Sequence, residues 1–260
     1  MHYPFDVMDV PAPDSADADP LPSTAAPAPS APERVTAVLE ILMCSGFPTQ
    51  IAIGQTLALA GVRPQSGGSL SLPYVAAVSL MDTVVLIALM LFFVRARGED
   101  PRTLFLGSRP VLQEARSGVP LLFVAFGIAV ALMLTVQAVA PWLHNVARNP
   151  FQDAVKTRVD VALLIVLVVV AGGLREEAQR AFLLGRFERW LGGARVGLVV
   201  TSVAFGLGHY YEGRDAVIVT AALGAFWGAL YLRRRSIAAP VVSHGGFNLL
   251  QVVQFLAVAR

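Results

Sequence analysis

The chain has 260 residues, of which 55% are hydrophobic and only 15% are charged. A typical soluble domain is about 45–50% apolar and about 25% charged, and the mean hydropathy of +0.63 points away from that class. These values argue against a soluble globular protein, a disulfide scaffold and a nucleic-acid binder. The net charge of +2 combines an acidic N-terminal part with later loops rich in arginine. This asymmetry is typical of a membrane protein oriented by its basic loops.

The N-terminal segment, residues 1–34, is predicted to be a disordered tail. It contains eight prolines among alanine, serine and aspartate residues. Such a composition buries too little apolar surface to offset the chain entropy that ordering would cost. The segment also lacks the basic start and the apolar core of a signal peptide. We therefore assign residues 35–260 to a transmembrane helical domain.

Seven apolar stretches follow the tail, and a helix needs about 20 such residues to span a bilayer. They are Val35–Val62, Tyr74–Val94, Val119–Trp142, a fourth stretch from Val159 to near Leu191, Val196–Tyr211, Ala216–Leu232 and Ile237–Val258. The segment Thr103–Gly118 has room for an eighth helix that contacts the membrane. The sequence therefore predicts an all-α fold, a multi-pass bundle of about seven to eight helices.

Arginines concentrate in three of the connections between these stretches. They are Arg95, Arg97, Arg102, Arg109 and Arg116, then Arg186, Arg189 and Arg195, and finally Arg233, Arg234 and Arg235. In a seven-span arrangement all three connections fall on one side, which the positive-inside rule makes cytoplasmic. We therefore expect a multi-pass protein of the cell membrane with a cytoplasmic N-terminus.

Three clusters of polar side chains interrupt the apolar stretches of the second half. In the first, Glu176 and Arg180 are four residues apart and can pair on one helix face, whereas Glu177 points about 100° away from Glu176. The second cluster contains His209, and the third places His244 and Asn248 on one face. Charged groups in lipid cost about 2.5–3.5 kcal/mol each, so they are expected to be functional or paired.

The three clusters lie at similar predicted depths in the membrane. At about 1.5 Å per residue, Glu176, His209 and Asn248 each lie roughly 18–21 Å from the cytoplasmic end of their helices. Carboxylates, imidazoles, an amide and a guanidinium are the parts of a hydrolase that activates water. One glutamate can act as general base, a histidine can orient the water or bind a metal, and Asn248 can stabilise an oxyanion.

Motifs of other intramembrane hydrolases are missing from the sequence. No H-E-x-x-H zinc motif and no G-x-S-x-G nucleophile motif occur. Asp82 is the one clear acid in the middle of the second stretch, and a lone aspartate does not make an aspartyl pair. We interpret Asp82 as a structural hydrogen-bond acceptor.

The three clusters together resemble the CAAX-protease and bacteriocin-processing family, also called CPBP or Abi. The family motifs are E-E-x-x-x-R, F-x-x-x-H and H-x-x-x-N, in that order on separate membrane helices. Phe205 and His209 match the second motif, and His244 and Asn248 match the third. The resemblance covers about residues 159–248, so 159–258 is taken as the CAAX-protease-like core.

The first motif departs from the family pattern. Counting back from Arg180 matches Glu176 to the family's second glutamate and puts Arg175 in place of the first. Alternatively, one residue is missing before Arg180, and Glu176-Glu177 is the true pair. Both alignments remain open at this point, and both glutamates are candidates for the site.

The resemblance implies a multi-pass endopeptidase that cuts membrane-tethered or lipid-modified peptides. The candidate site residues are Glu176, Glu177, Arg180, His209, His244 and Asn248. The resemblance also implies zinc or another divalent metal, with His209 and His244 as its candidate ligands. The expected partners are membrane lipid and the peptide substrate, with no nucleic acid. Alternatives are a catalytically inactive scaffold or regulator of the same fold, and a proton-coupled transporter.

Overall fold

The computed structural model describes residues 28–66, 69–146 and 154–258, and within these ranges the chain is almost entirely helical. The helices are α1 (Ala31–Met43), α2 (Phe47–Leu59), α3 (Leu72–Ala96), α4 (Pro101–Phe105), α5 (Val111–Val139), α6 (Arg158–Val169), α7 (Glu176–Trp190), α8 (Ala194–Gly208), α9 (Arg214–Arg234) and α10 (Ala238–Val258). Short 3₁₀ turns occur at Pro141–Leu143 and Tyr210–Glu212, and a π-helical segment, Val170–Arg175, joins α6 to α7. The predicted all-α fold class is confirmed.

One small element departs from the helical pattern. Gln65–Ser66 (β1) and Ser69–Leu70 (β2) pair antiparallel in the connection between α2 and α3. Gln65 lies opposite Leu70, and Ser66 lies opposite Ser69. The pairing is two residues long on each side and leaves the helical architecture unchanged.

Helix α1 begins earlier than the sequence predicted. The boundary of the disordered tail was placed at residue 34, but the helix starts at Ala31. Ser30 and Glu33 form a capping box, in which each side chain satisfies a backbone N–H of the first turn. Residues 1–27, which hold most of the predicted tail, lie outside the described residues.

Fewer of the described helices have the length and hydropathy needed to cross a membrane than the seven spans predicted. Among the residues described, three helices are long and apolar enough to cross a membrane: α3, α5 and α9. The pair α1 and α2 adds a fourth span if its two members, bent by 40°, count as one. The predicted fifth span is only the 15-residue helix α8, and the predicted fourth span continues into the charged helix α7. The predicted eighth helix appears as the short α4 and as the early start of α5.

The helices pack around a centre formed by α10 and the π-helical segment. Helix α10 lies along α5 and also contacts α6 and the π-helical segment, while α8 packs between α7 and α9. Trp227, Leu223 and Phe247 form one buried cluster where α9 meets α10. Large apolar side chains such as Phe123 and Leu134 on α5 remain exposed, which is the expected outer face of a helix in lipid.

Candidate functional site

A cavity of about 980 Å³ opens in the middle of the bundle and collects the predicted polar side chains. Glu176, Arg180, His209, His244 and Asn248 all contribute to its walls. They come from α7, from the residue that follows α8, and from α10. The polar groups that the sequence predicted to converge from three helices therefore line one cavity.

Helix α7 follows directly on the π-helical segment Val170–Arg175. A π-bulge widens the helix locally and rotates the residues that follow it, and such bulges are frequent at functional sites. Close contact between helices occurs here: a Cβ on Gly172 would lie 2.7 Å from Nδ2 of Asn248, and a Cβ on Gly173 would lie 3.0 Å from Cα of Gly245. The two glycines therefore let α10 approach the helix that carries the glutamates.

The two neighbouring glutamates occupy different environments. Glu177 is 1% exposed, and the Arg180 guanidinium donates to both of its carboxylate oxygens at 3.2 Å. Nδ1 of His244 lies 2.8 Å from Oε1 of Glu177. Glu176 keeps 18% of its side chain exposed and lines the cavity, and its Oε2 lies 3.8 Å from Nε2 of His244. Of the two acids, Glu176 faces the cavity and Glu177 supports the wall behind it.

This geometry bears on the two alignments of the first motif. The sequence suggested that Glu176 pairs with Arg180, and that interpretation is wrong. Arg180 pairs with Glu177, three residues before it, and Glu176 instead receives a hydrogen bond from Arg175 at 3.1 Å. The alignment in which Glu176-Glu177 is the motif pair, with one residue fewer before the arginine, stays a prediction, and the contact between Glu177 and Arg180 favours it.

The imidazole of His244 is held by two contacts, one to its ring face and one to its Nδ1. It stacks on the indole of Trp227, with ring centroids 3.8 Å apart and an angle of 16° between the planes. Its Nδ1 donates to the Glu177 carboxylate, which sets the tautomer and leaves Nε2 on the side of Glu176. Trp227 was not among the predicted site residues, because one tryptophan near a helix end is typical of any membrane protein.

His209 lies just beyond the helix on which the sequence placed it. Helix α8 ends at Gly208, and His209 follows as its C-cap. Its Nδ1 donates to the backbone carbonyl of Phe205 at 2.9 Å, since a carbonyl only accepts. Its Nε2 lies 4.0 Å from the Glu212 carboxylate, and both residues line the cavity.

Asn248 completes the polar wall from α10. Its Nδ2 donates to the backbone carbonyl of Val168 at 3.4 Å. An amide nitrogen carries two hydrogens, so one remains for a further acceptor. The opposite part of the cavity is apolar, with walls that include Phe126, Val130, Met133, Leu164, Leu167 and Val252.

Two charged residues that the sequence did not assign to the site lie directly beside it. The Arg175 guanidinium donates to both Asp82 and Glu176, each at 3.1 Å. Asp82 is fully buried on α3, which agrees with its interpretation as a hydrogen-bond acceptor. The signal in the sequence was a lone acid within an apolar helix, and only the packing of α3 against the π-helical segment shows its partner.

The donor set does not fit a metal site with three protein ligands. In the described part of the chain, no three His, Cys, Asp or Glu side chains are arranged to hold a metal ion, whereas catalytic zinc sites use three protein ligands. Nδ1 of His244 donates to Glu177 and Nδ1 of His209 donates to a carbonyl, so the Nε2 atom of each ring is the one that remains as a possible ligand. The assignment of His209 and His244 as metal ligands stays a prediction.

The fold and the cavity define a class: a multi-pass helical membrane protein whose polar residues meet within the bundle. Comparison with known families agrees with this class. Residues 158–250 match the family model described as type II CAAX prenyl endopeptidase Rce1-like. The chain therefore carries an Rce1-like domain, which confirms the resemblance to the CAAX-protease family. No match to a curated protein or to a solved structure was found.

Proposed function

We propose that the protein is an intramembrane endopeptidase that hydrolyses a peptide bond with a water molecule activated by Glu176. The observation that carries this proposal is that the two neighbouring glutamates occupy different environments. One carboxylate faces the cavity, and the other is buried and holds the histidine opposite. A general base must reach its water, whereas a positioning group does not.

The gap between Glu176 and His244 suits a bound water. Oε2 of Glu176 and Nε2 of His244 are 3.8 Å apart, which is too long for a direct hydrogen bond. Both atoms accept hydrogen bonds, so both can hold the two hydrogens of one water molecule. Glu176 takes a proton from this water as the oxygen attacks the peptide carbonyl carbon. It then gives the proton to the leaving nitrogen as the C–N bond breaks, so that a carboxylic acid and an amine are released.

The remaining polar groups suit the negative charge that develops on the carbonyl oxygen. The free N–H of Asn248 is a donor on the cavity wall, and the His209 imidazole lies on the same wall. Arg180 keeps Glu177 ionised, because an adjacent cation favours the charged form. Glu177 in turn accepts from His244 and holds the imidazole in one orientation.

The substrate that fits is a peptide associated with the membrane. The cavity has a polar end at Glu176 and apolar walls from α5, α6 and α10, and an apolar stretch or a lipid group matches such walls. We expect the protein to act as a multi-pass protein of the cell membrane with a cytoplasmic N-terminus, as the arginine-rich loops indicate. Zinc or another divalent metal remains a prediction from the family alone.

A cleavage assay with the purified full-length chain in detergent tests the proposal. A membrane-tethered peptide should be cut by the wild type, and the new termini should be identified by mass spectrometry. His209→Ala and His244→Ala should abolish cleavage in folded protein, while Glu188→Gln, which changes a half-exposed residue outside the cavity, should cleave normally. Cleavage that survives in both histidine variants would refute the site.

The same preparation separates the two alternatives. An inactive scaffold would leave every peptide intact in the wild type while folding normally. A proton-coupled transporter would show flux of a substrate across liposomes, and that flux would depend on His209. Either result would replace the peptidase proposal.

A further inference from the structure

A line of charged side chains runs from α3 to the proposed general base. Asp82 on α3 accepts a hydrogen bond from Nη1 of Arg175 at 3.1 Å. Nη2 of the same guanidinium donates to Oε1 of Glu176, also at 3.1 Å. The side chains become more exposed along this line: Asp82 is 0% exposed, Arg175 13% and Glu176 18%. The base that faces the cavity is thus connected to a buried anchor.

The anchor itself is held by two further donors. The hydroxyl of Thr49 donates to Oδ1 of Asp82, and the amide of Gln50 donates to Oδ2 at 3.1 Å. Both residues lie in the first turn of α2. Asp82 therefore accepts from three side chains, and a carboxylate with this many partners has a fixed position.

Arg175 bridges two carboxylates in a way that a lysine could not. Its planar fork presents two nitrogens at fixed angles, so that one reaches Asp82 and the other reaches Glu176 at the same time. The hydrogen bond engages Oε1 of Glu176, and Oε2 is the oxygen that lies on the side of His244. One oxygen is thus held while the other is left for the reaction.

We propose that Asp82 and Arg175 are positioning residues that orient Glu176 so that its Oε2 meets the reactive water. The inference rests on the proposed function, because it assigns a role to groups behind the proposed base. This role acts through Glu176 and not through the substrate, although Arg175 also lines the cavity. A displacement of the base by about 1 Å can cost about 10²-fold in rate, and this is the loss that the fixed line of side chains prevents.

Three variants test the role by kinetics. Arg175→Gln removes the link and should lower kcat by about 10- to 100-fold at nearly constant KM. Arg175→Lys keeps the charge but loses the fork, and it should also fall at least about 10-fold in kcat. Asp82→Asn combined with Arg175→Gln removes both charges, so that no unpaired buried carboxylate remains. If Arg175→Gln alone fails to fold, this double variant should still fold. It should show the same loss of kcat.

A matched control separates positioning from simple stabilisation. Arg234 pairs with buried Glu114 at 2.9 Å, and neither residue lines the cavity. Arg234→Gln therefore breaks an ion pair to a buried glutamate outside the cavity. It should lower the thermal midpoint without changing kcat of the folded fraction, whereas the Arg175 variants should change kcat when activity is normalised to folded protein.

The outcomes distinguish this inference from the function on which it rests. If wild type cleaves and Glu176→Gln does not, but Arg175→Lys and the double variant keep wild-type kcat, the positioning role is overturned while the peptidase remains. If wild type does not cleave, or Glu176→Gln cleaves normally, the proposed function itself fails. A large fall in kcat of the folded double variant, with KM unchanged, supports the inference.

Discussion

Replacing Arg180 with methionine should destabilise the protein far more than most substitutions, because it leaves Glu177 charged inside the bundle. The carboxylate is 1% exposed, and two of its hydrogen bonds come from the Arg180 guanidinium at 3.2 Å. Breaking one partner of a buried ion pair costs about 3–5 kcal/mol. For a domain of about 150–250 residues each kcal/mol corresponds to about 2–4 °C, so the thermal midpoint should fall by about 6–20 °C.

The double variant Glu177→Gln with Arg180→Met isolates the electrostatic cause. It removes the unpaired charge, and replacing both members of a buried pair is often close to neutral in stability. We expect the midpoint of the double variant to return most of the way to that of the wild type. The assay is thermal unfolding in detergent, followed by tryptophan fluorescence. Glu188→Gln serves as the control, because its partner Arg235 is 52% exposed and such pairs contribute at most about 1 kcal/mol. An Arg180→Met midpoint no lower than that of the control would refute the reasoning.

Three further substitutions test the packing around the cavity. Gly172→Ala should lower the cleavage rate about 10-fold or more while the thermal midpoint stays near that of the wild type. The new Cβ would lie 2.7 Å from Nδ2 of Asn248, so the flexible end of that side chain would have to move. An unchanged rate would contradict this. Gly206→Ala should destabilise the protein by about 1–3 kcal/mol, since its Cβ would lie 2.5 Å from the backbone oxygen of Val217 and force α8 away from α9; an unchanged midpoint would contradict that packing. Trp227→Phe should cost about 1–3 kcal/mol, because it removes the 3.2 Å hydrogen bond to buried Ser243, and the loss should appear as a lower midpoint in the same unfolding assay.

The sequence predicted the meeting of the polar groups for a physical reason. Charged and polar side chains within apolar helices must find one another or water, so Glu176, His209 and His244 were expected to converge. Their helices do bring them to one cavity. The all-α class also followed from composition. A chain with so few charged residues is predicted to cross the membrane, where helices satisfy their own backbone hydrogen bonds.

The details that the sequence did not predict depend on local geometry. Helical spacing allowed a pair between Glu176 and Arg180, but Arg180 contacts Glu177 at the i,i+3 spacing, which lies on the helix surface just as close. The break between α1 and α2 depends on Gly46, whose φ of +89° turns the chain in a way that other residues rarely adopt. The partner of Asp82 lies 93 positions away in the chain, and no periodic pattern relates residues so distant.

Single-turnover cleavage by Glu176→Gln and Glu177→Gln, normalised to folded protein, tests the central claim most directly. A base that faces the cavity contributes about 10²- to 10⁴-fold, so Glu176→Gln should lose that factor while its midpoint stays near the wild-type value. Glu177→Gln keeps an oxygen that accepts from His244, and it should retain a much larger share of the rate. A folded Glu176→Gln variant that cleaves at the wild-type rate would contradict the account.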